Sequence, residues 1–562
     1  MSRRTRLVVA LAAACAAWLS SAWERAVAAS DTIPIQLLAF NDLHGNLEPP
    51  AGASGQVNGR VAGGVAYLAT HLRNAVRDNP NSLIVSAGDL IGASPAVSAF
   101  FHDEPTIEAM NVLGLGLSSV GNHEFDDGVR ELLRMQNGGC HAVEGCQGRE
   151  RFRGASFKYL AANVLRTVHG HSAPLFPPMA IRTIGGIRVG FIGETLKGTP
   201  REVTPSGVKG LRFLDEAATA NRYAALLRQR GVHAIVLLIH EGGEQNAEGA
   251  DPNRCDNFTG AIGPILRKLS PDIGVVVSGH THRSYVCTID GRLVTSAGSY
   301  GRLITRIRLD VSRTDGSITK ASAENEIVTP DVPPDPAETR IVDKYASLSA
   351  PLAHRVIGSI AADIVRRANN AGESPLGDLI ADAQLAATRD PDKGGSAAAF
   401  MNPGGIRTDL VANHQSADER PGEITFDELF AVQPFSNVLT VMTLTGDALM
   451  RALEQQFDNP STGVSKLLQV SEGFSYRYRL NAPPGQHVDR DSIVIQGMHL
   501  TPGARIRITL NNFLAMGGDG FKAFTEGTMQ VGGAVDIDAL AAYLKTRSPV
   551  APHPQERIVR TD

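Results

Sequence analysis

A layered α/β domain followed by a second, mixed α+β domain is the fold that this sequence predicts, on three observations. Short apolar runs recur from residue 33 to 325, each followed at once by Gly, Asp, Asn or His and then often by a helical stretch. A proline cluster at Thr329–Pro336 ends that pattern, and a different mixture of helical and alternating segments follows it. At 562 residues the chain exceeds what one hydrophobic core organises, so two domains are expected.

The first element is a leader. Arg3, Arg4 and Arg6 precede the apolar run Leu7–Leu19, and Ala26-Val27-Ala28 offers a small-residue cleavage site, so residues 1–28 read as a signal peptide. A lipid anchor on Cys15 is the competing reading of the same run. The run is short for a spanning helix, and no later stretch reaches the ~20 apolar residues that crossing a bilayer takes. The chain is therefore expected to be exported, periplasmic or secreted, with no transmembrane segment once the leader is gone.

Residues 31–328 form the expected α/β domain. Its strands are Ile35–Phe40, Leu83–Ser86, Leu117–Val120, Ala234–Ile239 and Ile273–Val277. Near-continuous apolar runs of this length suit strands covered on both faces, with polar motifs at their C-terminal ends. Residues 329–355 read as a linker, whose four prolines exclude helix and central strand, ending in a connecting helix from Ala337 to Leu352. Residues 356–545 then mix helices (Leu376–Thr388, Gly446–Asn459) with strands such as Val470–Leu480 and Arg505–Leu510. Residues 546–562 read as a loose tail.

Four cysteines follow the leader: Cys140, Cys146, Cys255 and Cys287. An even number in an exported chain suggests disulfides. Three pairings are open; the short Cys140–Cys146 loop favours that pair, leaving Cys255 for Cys287. A net charge of −4 gives no basic footprint for a nucleic-acid polymer, so a small phosphate compound is the expected partner.

Five separated motifs carry the chemistry: Asp42-Leu-His44, Gly88-Asp89, Gly121-Asn122-His123-Glu124-Phe-Asp126, His240-Glu-Gly, and Gly279-His280-Thr-His282. Each follows a predicted strand, so all five could open onto one edge of one sheet. Singly they are weak, since Asp-x-His after a strand reads equally as an N-cap and Gly-Asp as a turn. Together they supply the roughly seven donors, one of them a bridging carboxylate, that a cation pair for phosphate ester hydrolysis uses.

This ordered set resembles the calcineurin-like metallophosphoesterases. Its fuller forms, Asn41-Asp-Leu-His-Gly and Gly121-Asn-His-Glu-Phe-Asp, are similar to the exported 5′-nucleotidase/UDP-sugar hydrolase branch. The resemblance implies a layered α-β-β-α metallophosphoesterase domain and a second, substrate-binding domain. It implies that Asp42, His44 and His282 hold one divalent cation and Asn122, His240 and His280 another, with Asp89 shared between them. Mixed imidazole, carboxylate and amide donors suit zinc, manganese, cobalt or iron better than calcium. It further implies a catalytic pair of His123, stabilising or protonating oxygens, and Asp126, orienting its ring.

For the second domain, Asn402-Pro-Gly-Gly-Ile-Arg407, Pro434-Phe-Ser-Asn437 and Asn512-Phe513-Leu-Ala-Met-Gly-Gly-Asp519 join planar or charged side chains to glycines and prolines. Phe435 and Phe513 taken alone read as core. The resemblance instead implies that they stack a base, that Asp519 binds ribose, and that Asn402, Arg407 and Asn437 complete a nucleotide site. The family commonly has glycine where Ser436 stands, and Arg366 and Arg367 lie where its further arginine is uncertain in register. Family members also reorient their domains to bring substrate to the metals.

A 5′-nucleotidase that also cleaves nucleotide sugars is the leading expectation. A 2′,3′-cyclic nucleotide phosphodiesterase with 3′-nucleotidase activity and an exported nucleotide-binding protein without activity are the alternatives.

Overall fold

The computed structural model describes residues 31–50, 55–146, 150–168, 171–203, 207–245, 251–413, 420–458 and 466–562. The expected signal peptide, 1–28, lies outside the described residues.

Two six-stranded sheets face each other in the first domain. The first runs Ile318–Ile327, Leu303–Ser312, Thr32–Phe40, Ser82–Ser86, Leu117–Ser119, Lys158–Leu160, with its last four strands parallel. The second runs Ser284–Ile289, Arg292–Ala297, Val275–Ser278, Ala234–His240, Ile187–Thr195, Met179–Ile184, parallel through its centre. Strand periodicity sends alternate side chains to opposite faces. Leu37 and Ala39 therefore meet Val236, Leu238 and Val277 in a core between the sheets. Leu38 and Phe40 turn outward onto the helices Val65–Asp78 and Glu104–Leu113. Leu237 and Ile239 pack outward against Ala220, Ala224 and Leu227 of the helix Glu216–Gln229. Helices thus cover both outer faces, giving the α-β-β-α layering, and the both-face burial explains why these strands read as unbroken apolar runs.

The two cysteine pairs are those favoured from the sequence: Cys140 with Cys146, and Cys255 with Cys287. No helix among the described residues is long and apolar enough to cross a membrane.

The proline cluster leads into the helix Pro336–Ala353, whose N-cap Asp335 accepts from the backbone N–H groups of Ala337 and Glu338. Beyond it, a five-stranded sheet (Gln469–Val470, Ala398–Met401, Arg505–Asn511, Val438–Thr445, Thr528–Val535) and a four-stranded sheet form the second domain with helices Pro375–Thr388, Gly446–Gln455 and Asp536–Arg547. An apolar seam joins the domains. Phe100, beside the helix Ala96–Ala99, meets Phe430 with ring centroids 5.2 Å apart.

One expectation needs correction. Residues 546–562 are not a loose tail. Ile558–Arg560 pairs in parallel with Phe474–Tyr478. Arg557 forks onto both oxygens of Asp382 at 2.8 Å, and Glu373 accepts the backbone N–H groups of Arg557 and Ile558. The stretch has little apolar content to advertise itself; ion pairing and ladder hydrogen bonds fix it.

Candidate active site

The five strand-end motifs converge, but not on one sheet edge as the sequence suggested. Asp42, His44, Asp89 and Asn122 come from the first sheet, while His240, His280 and His282 come from the second. The bay therefore lies across the gap between the sheets, stitched by His280 N–H donating to Asp42 Oδ1 and Oδ2 at 3.0 Å. Within the first sheet, Asp42 N donates to the Gly88 carbonyl and His44 N to the Asp89 carbonyl, each at 3.0 Å.

The donor atoms are close together. Asp42, His44 and His282 form one group and Asp42, Asp89 and His240 another, with ligand atoms in each within 4.8 Å. Asp89 Oδ2 lies 3.0 Å from His240 Nε2 and 3.6 Å from His44 Nε2, between the two groups. Asn122 Oδ1 is 3.1 Å from both His240 Nε2 and His280 Nδ1. Asp42, His44, Asp89, Asn122 and His240 are buried, and His280 and His282 are half-buried.

Whether such a set fits a cation pair turns on which ring nitrogens are free. His44 Nδ1 donates to the Gly92 carbonyl and His240 Nδ1 to the Ala87 carbonyl, each at 2.8 Å. Both Nε2 atoms are thereby turned into the bay, the arrangement that backbone carbonyls give metal-bound imidazoles. Burial pushes His44 and His282 well below the ordinary imidazole value, with Arg407 adding to the effect, so both are neutral donors. Burial also depresses His280, to about 4. His240 goes the other way: burial disfavours its charge, but the Asp89 carboxylate outweighs that and lifts it to about 10. The charge on His240 and the ionised Asp89 carboxylate, itself held despite burial well below the usual range by that imidazole, thus offset each other. The donor set fits.

Local backbone shows what the convergence costs. Asp42, His44, Asp89, His280 and His282 all have positive φ, between 48° and 72°. Non-glycine residues adopt that region at a penalty of about 1 kcal/mol or more, and such strain gathers at functional sites. Gly121 is required for a different reason, since a Cβ there would collide with the Asp89 carboxylate.

Two positioning residues carry no assignment from the sequence. Glu124 accepts N–H bonds from Gly121, Asp89 and Leu90 at 2.6, 2.9 and 2.8 Å, tying two motifs together. Asn41 donates to Asp42 Oδ2 at 2.6 Å and to the Gly298 carbonyl, while its Oδ1 accepts from Ala297 N. Both stand inside the quoted motifs, so motif membership is the available signal.

Beside the donors, His123 Nδ1 bonds Asp126 Oδ2 at 2.7 Å, and its backbone N–H donates to Asp89 Oδ1 at 2.9 Å. Burial opposes its charge, but the Asp126 and Asp89 carboxylates prevail and hold it above the ordinary value.

The second domain closes the bay. Arg407 Nη2 lies 3.5 Å from His44 Nε2, and its guanidinium sits 5.8 Å from the Phe435 ring centre. The Phe435 ring stacks on His123 at 5.6 Å, 21° from parallel. Arg407 Nε is buried without a hydrogen-bond partner. Asn402 donates to Asp519 Oδ2 at 2.9 Å, and Lys466 links Asp519 (3.9 Å) to Glu202 of the first domain (3.5 Å). The Phe513 ring lies against Gly518, where a Cβ would meet it at 2.5–2.6 Å. Asn437 is used otherwise: its side chain hydrogen-bonds the buried carboxyl of Asp536. Of the two uncertain arginines, Arg366 is the one whose charge reaches His282. Ser436 has φ 49°, which is the physical reason a glycine suits that position.

Residues 35–284 match the calcineurin-like phosphoesterase family, and residues 356–526 match the 5′-nucleotidase, C-terminal domain family. The cell wall protein Lmo0130 of Listeria monocytogenes is 32% identical over 92% of this chain and 68% of its own length. The chain belongs to the 5′-nucleotidase family. Members are metal-dependent phosphoric ester hydrolases. The crystal structure of a 5′-nucleotidase precursor from Thermus thermophilus is similar to this chain with a TM-score of 0.76 and 27% identity, covering 94% of this chain and 99% of that one. Endonuclease YhcR of Bacillus subtilis is 33% identical over 95% of this chain, which spans only 42% of that protein's length. Within this family, the two matched regions fall on either side of the proline-rich connection.

Proposed function

We propose that this chain is an exported phosphohydrolase that removes phosphate from 5′-nucleotides with two divalent cations, releasing nucleoside and phosphate. One observation carries the reading. Arg407 of the second domain, its Nη1 tied to the Gly404 carbonyl at 3.2 Å, reaches to 3.5 Å from His44 with a buried Nε left unpartnered, which sets a guanidinium with a free N–H over a bay of metal donors.

In this reading Asp42, His44 and His282 hold one cation, Asn122, His240 and His280 the other, and Asp89 is common to both. The cations would polarise the phosphoryl group and activate water, with zinc, manganese, cobalt and iron the fitting choices. The protein's own groups do the rest. Arg407 binds and orients the phosphate. His123, kept charged by Asp126, donates a hydrogen bond or proton to the departing oxygen. Phe435 and Phe513 stack the base, Asp519 receives the ribose hydroxyls with Asn402 holding it in place, and Asn437 supports the loop that carries Phe435. Cleavage of nucleotide sugars uses the same site. Export rests on the leader-like residues 1–28 and on the paired cysteines.

A second reading, 2′,3′-cyclic nucleotide phosphodiesterase with 3′-nucleotidase activity, draws on the same metal donors and aromatic pair. The trifunctional nucleotide phosphoesterase protein YfkN of Bacillus subtilis, a relative whose name covers more than one activity, is 26% identical over 86% of this chain and 33% of its own length.

The deciding experiment is a substrate panel on metal-stripped protein reloaded with one cation at a time. It compares AMP, UDP-glucose, 2′,3′-cyclic AMP, 3′-AMP and single-stranded DNA. Preferred turnover of AMP supports the first reading and preferred turnover of the cyclic or 3′ compounds the second. Loaded protein that hydrolyses none of them rejects both.

A further inference from the structure

A second group of cation donors lies outside the bay. His102, in the turn after the helix Ala96–Ala99, Glu131 of the helix Gly128–Asn137, and His141 beside Cys140 present ligand atoms all within 4.8 Å of one another. All three are half-buried.

The surroundings leave these atoms usable. Glu131 is bonded by Arg134 Nε at 2.8 Å and Nη2 at 2.5 Å, but both bonds go to Oε1, so Oε2 is the oxygen available. The rings of His102 and His141 stack with centroids 3.9 Å apart and 20° between planes. Rings this close are compatible as neutral donors and repel as two cations. His102 Nε2 lies 3.1 Å from the Glu144 carboxylate, the kind of outer partner that orients a ligating imidazole. The loop presenting His141 and Glu144 is preset: the Cys140–Cys146 disulfide closes it, and His141 and Gly145 exchange backbone bonds of 3.0 and 3.1 Å.

We propose that His102, Glu131 and His141 bind a divalent transition-metal ion of the zinc class, separate from the donors of the bay between the two sheets. Two imidazoles and one carboxylate are a donor set that zinc takes, with a fourth position left to water. Tetrahedral bonds of about 2.1 Å place donors ~3.4 Å apart and need both ring planes to converge on the ion, so binding turns one imidazole out of the present stack as it draws the donor atoms together. The ion pins the disulfide loop to the turn carrying Asp103. Asp103 Oδ2 accepts from Gly92 N at 3.0 Å, and the Gly92 carbonyl is the one that orients His44. The site thus braces the bay from behind.

Zinc per chain, measured by mass spectrometry after dialysis in buffered free zinc, tests this on full-length protein. The double variant His102→Ala/His141→Ala loses one zinc equivalent relative to wild type, while Asp89→Asn keeps that equivalent and loses zinc from the bay. Equal zinc in wild type and the double variant overturns the proposal, whatever becomes of the two-cation reading, which Asp89→Asn probes separately. Should the double variant fold poorly, diethylpyrocarbonate labelling of Asp89→Asn protein decides: zinc protects His102 and His141 there, and equal labelling with and without zinc overturns the proposal.

Discussion

His44 and His282 turn their Nε2 atoms toward each other across 3.0 Å, although they come from different sheets. His44 Nδ1 is committed to the Gly92 carbonyl, so the nitrogen it presents is a lone pair. With that lone pair as acceptor, the His282 Nε2–H completes an N–H···N hydrogen bond, and the same two nitrogens are placed to turn together onto one cation.

Asp89 sits between the two donor groups, so its replacement should be the most damaging single change. Asp89→Asn is expected to lower kcat by ~10³-fold or more and to reduce bound metal. Wild-type protein treated with a chelator should behave alike and recover on reloading. Metal content and AMP turnover measured together check this; full activity in Asp89→Asn would refute the shared-carboxylate assignment.

His123→Asn should lower kcat by ~10²–10⁴-fold with little change in KM, because its contribution falls on the departing oxygen. Asp126→Asn, acting only through the ring it orients, should cost less, about 10- to 100-fold. Steady-state kinetics on AMP distinguishes them, and an equal or larger loss in Asp126→Asn would reverse the roles.

Phe513 depends on Gly518 for its place. Phe513→Ala should raise KM for AMP by the ~1–3 kcal/mol that base stacking is worth, and Gly518→Ala should do much the same by displacing the ring. If Gly518→Ala leaves KM unchanged, Phe513 is core and not a stacking platform.

Ser436 holds φ 49° in the loop carrying Phe435. Relief of the left-handed strain outweighs the glycine's added unfolded-state freedom, so Ser436→Gly should stabilise the folded chain by about 0.5–1 kcal/mol, read as a small rise in Tm. A fall in Tm would mean the hydroxyl matters more than the backbone.

His71 reports on pH. Its Nδ1 lies 3.0 Å from Glu326 and its Nε2 3.0 Å from the Thr329 carbonyl, and the Glu326 bond raises it above the ordinary 6.5. The protonated form is the one folding favours. Its stabilisation is complete below the unfolded value and is lost as pH climbs through the higher folded value. For a half-buried pair this is about 0.5–1 kcal/mol. Tm of wild type minus that of Glu326→Gln should shrink from pH about 6 to about 9; a constant difference would remove His71 from the account.

Much of this was legible in the sequence, for identifiable reasons. Strands buried on both faces, such as Thr32–Phe40 and Ala234–His240, leave unbroken apolar runs, and the polar residue ending each run marks the sheet edge. What a run cannot say is which sheet it joins. Asp42 and His280 follow similar strands yet arrive from opposite sheets, because pairing partners are chosen by contacts far apart in the chain. Ile558–Arg560 is not legible as a strand, since its anchors, Asp382 and Glu373, lie more than a hundred residues upstream. Glu124 was visible as a letter in a motif, but its service to three backbone N–H groups exists only once the Asp89 loop folds beside it.

The left-handed backbone at Asp42, His44, Asp89, His280 and His282 has an evolutionary corollary. A library screened for heat resistance alone would drift toward glycine at these five places, since each exchange relieves distortion. The survivors would be hardier and inert. In such a screen these side chains would persist only where turnover was scored beside heat resistance.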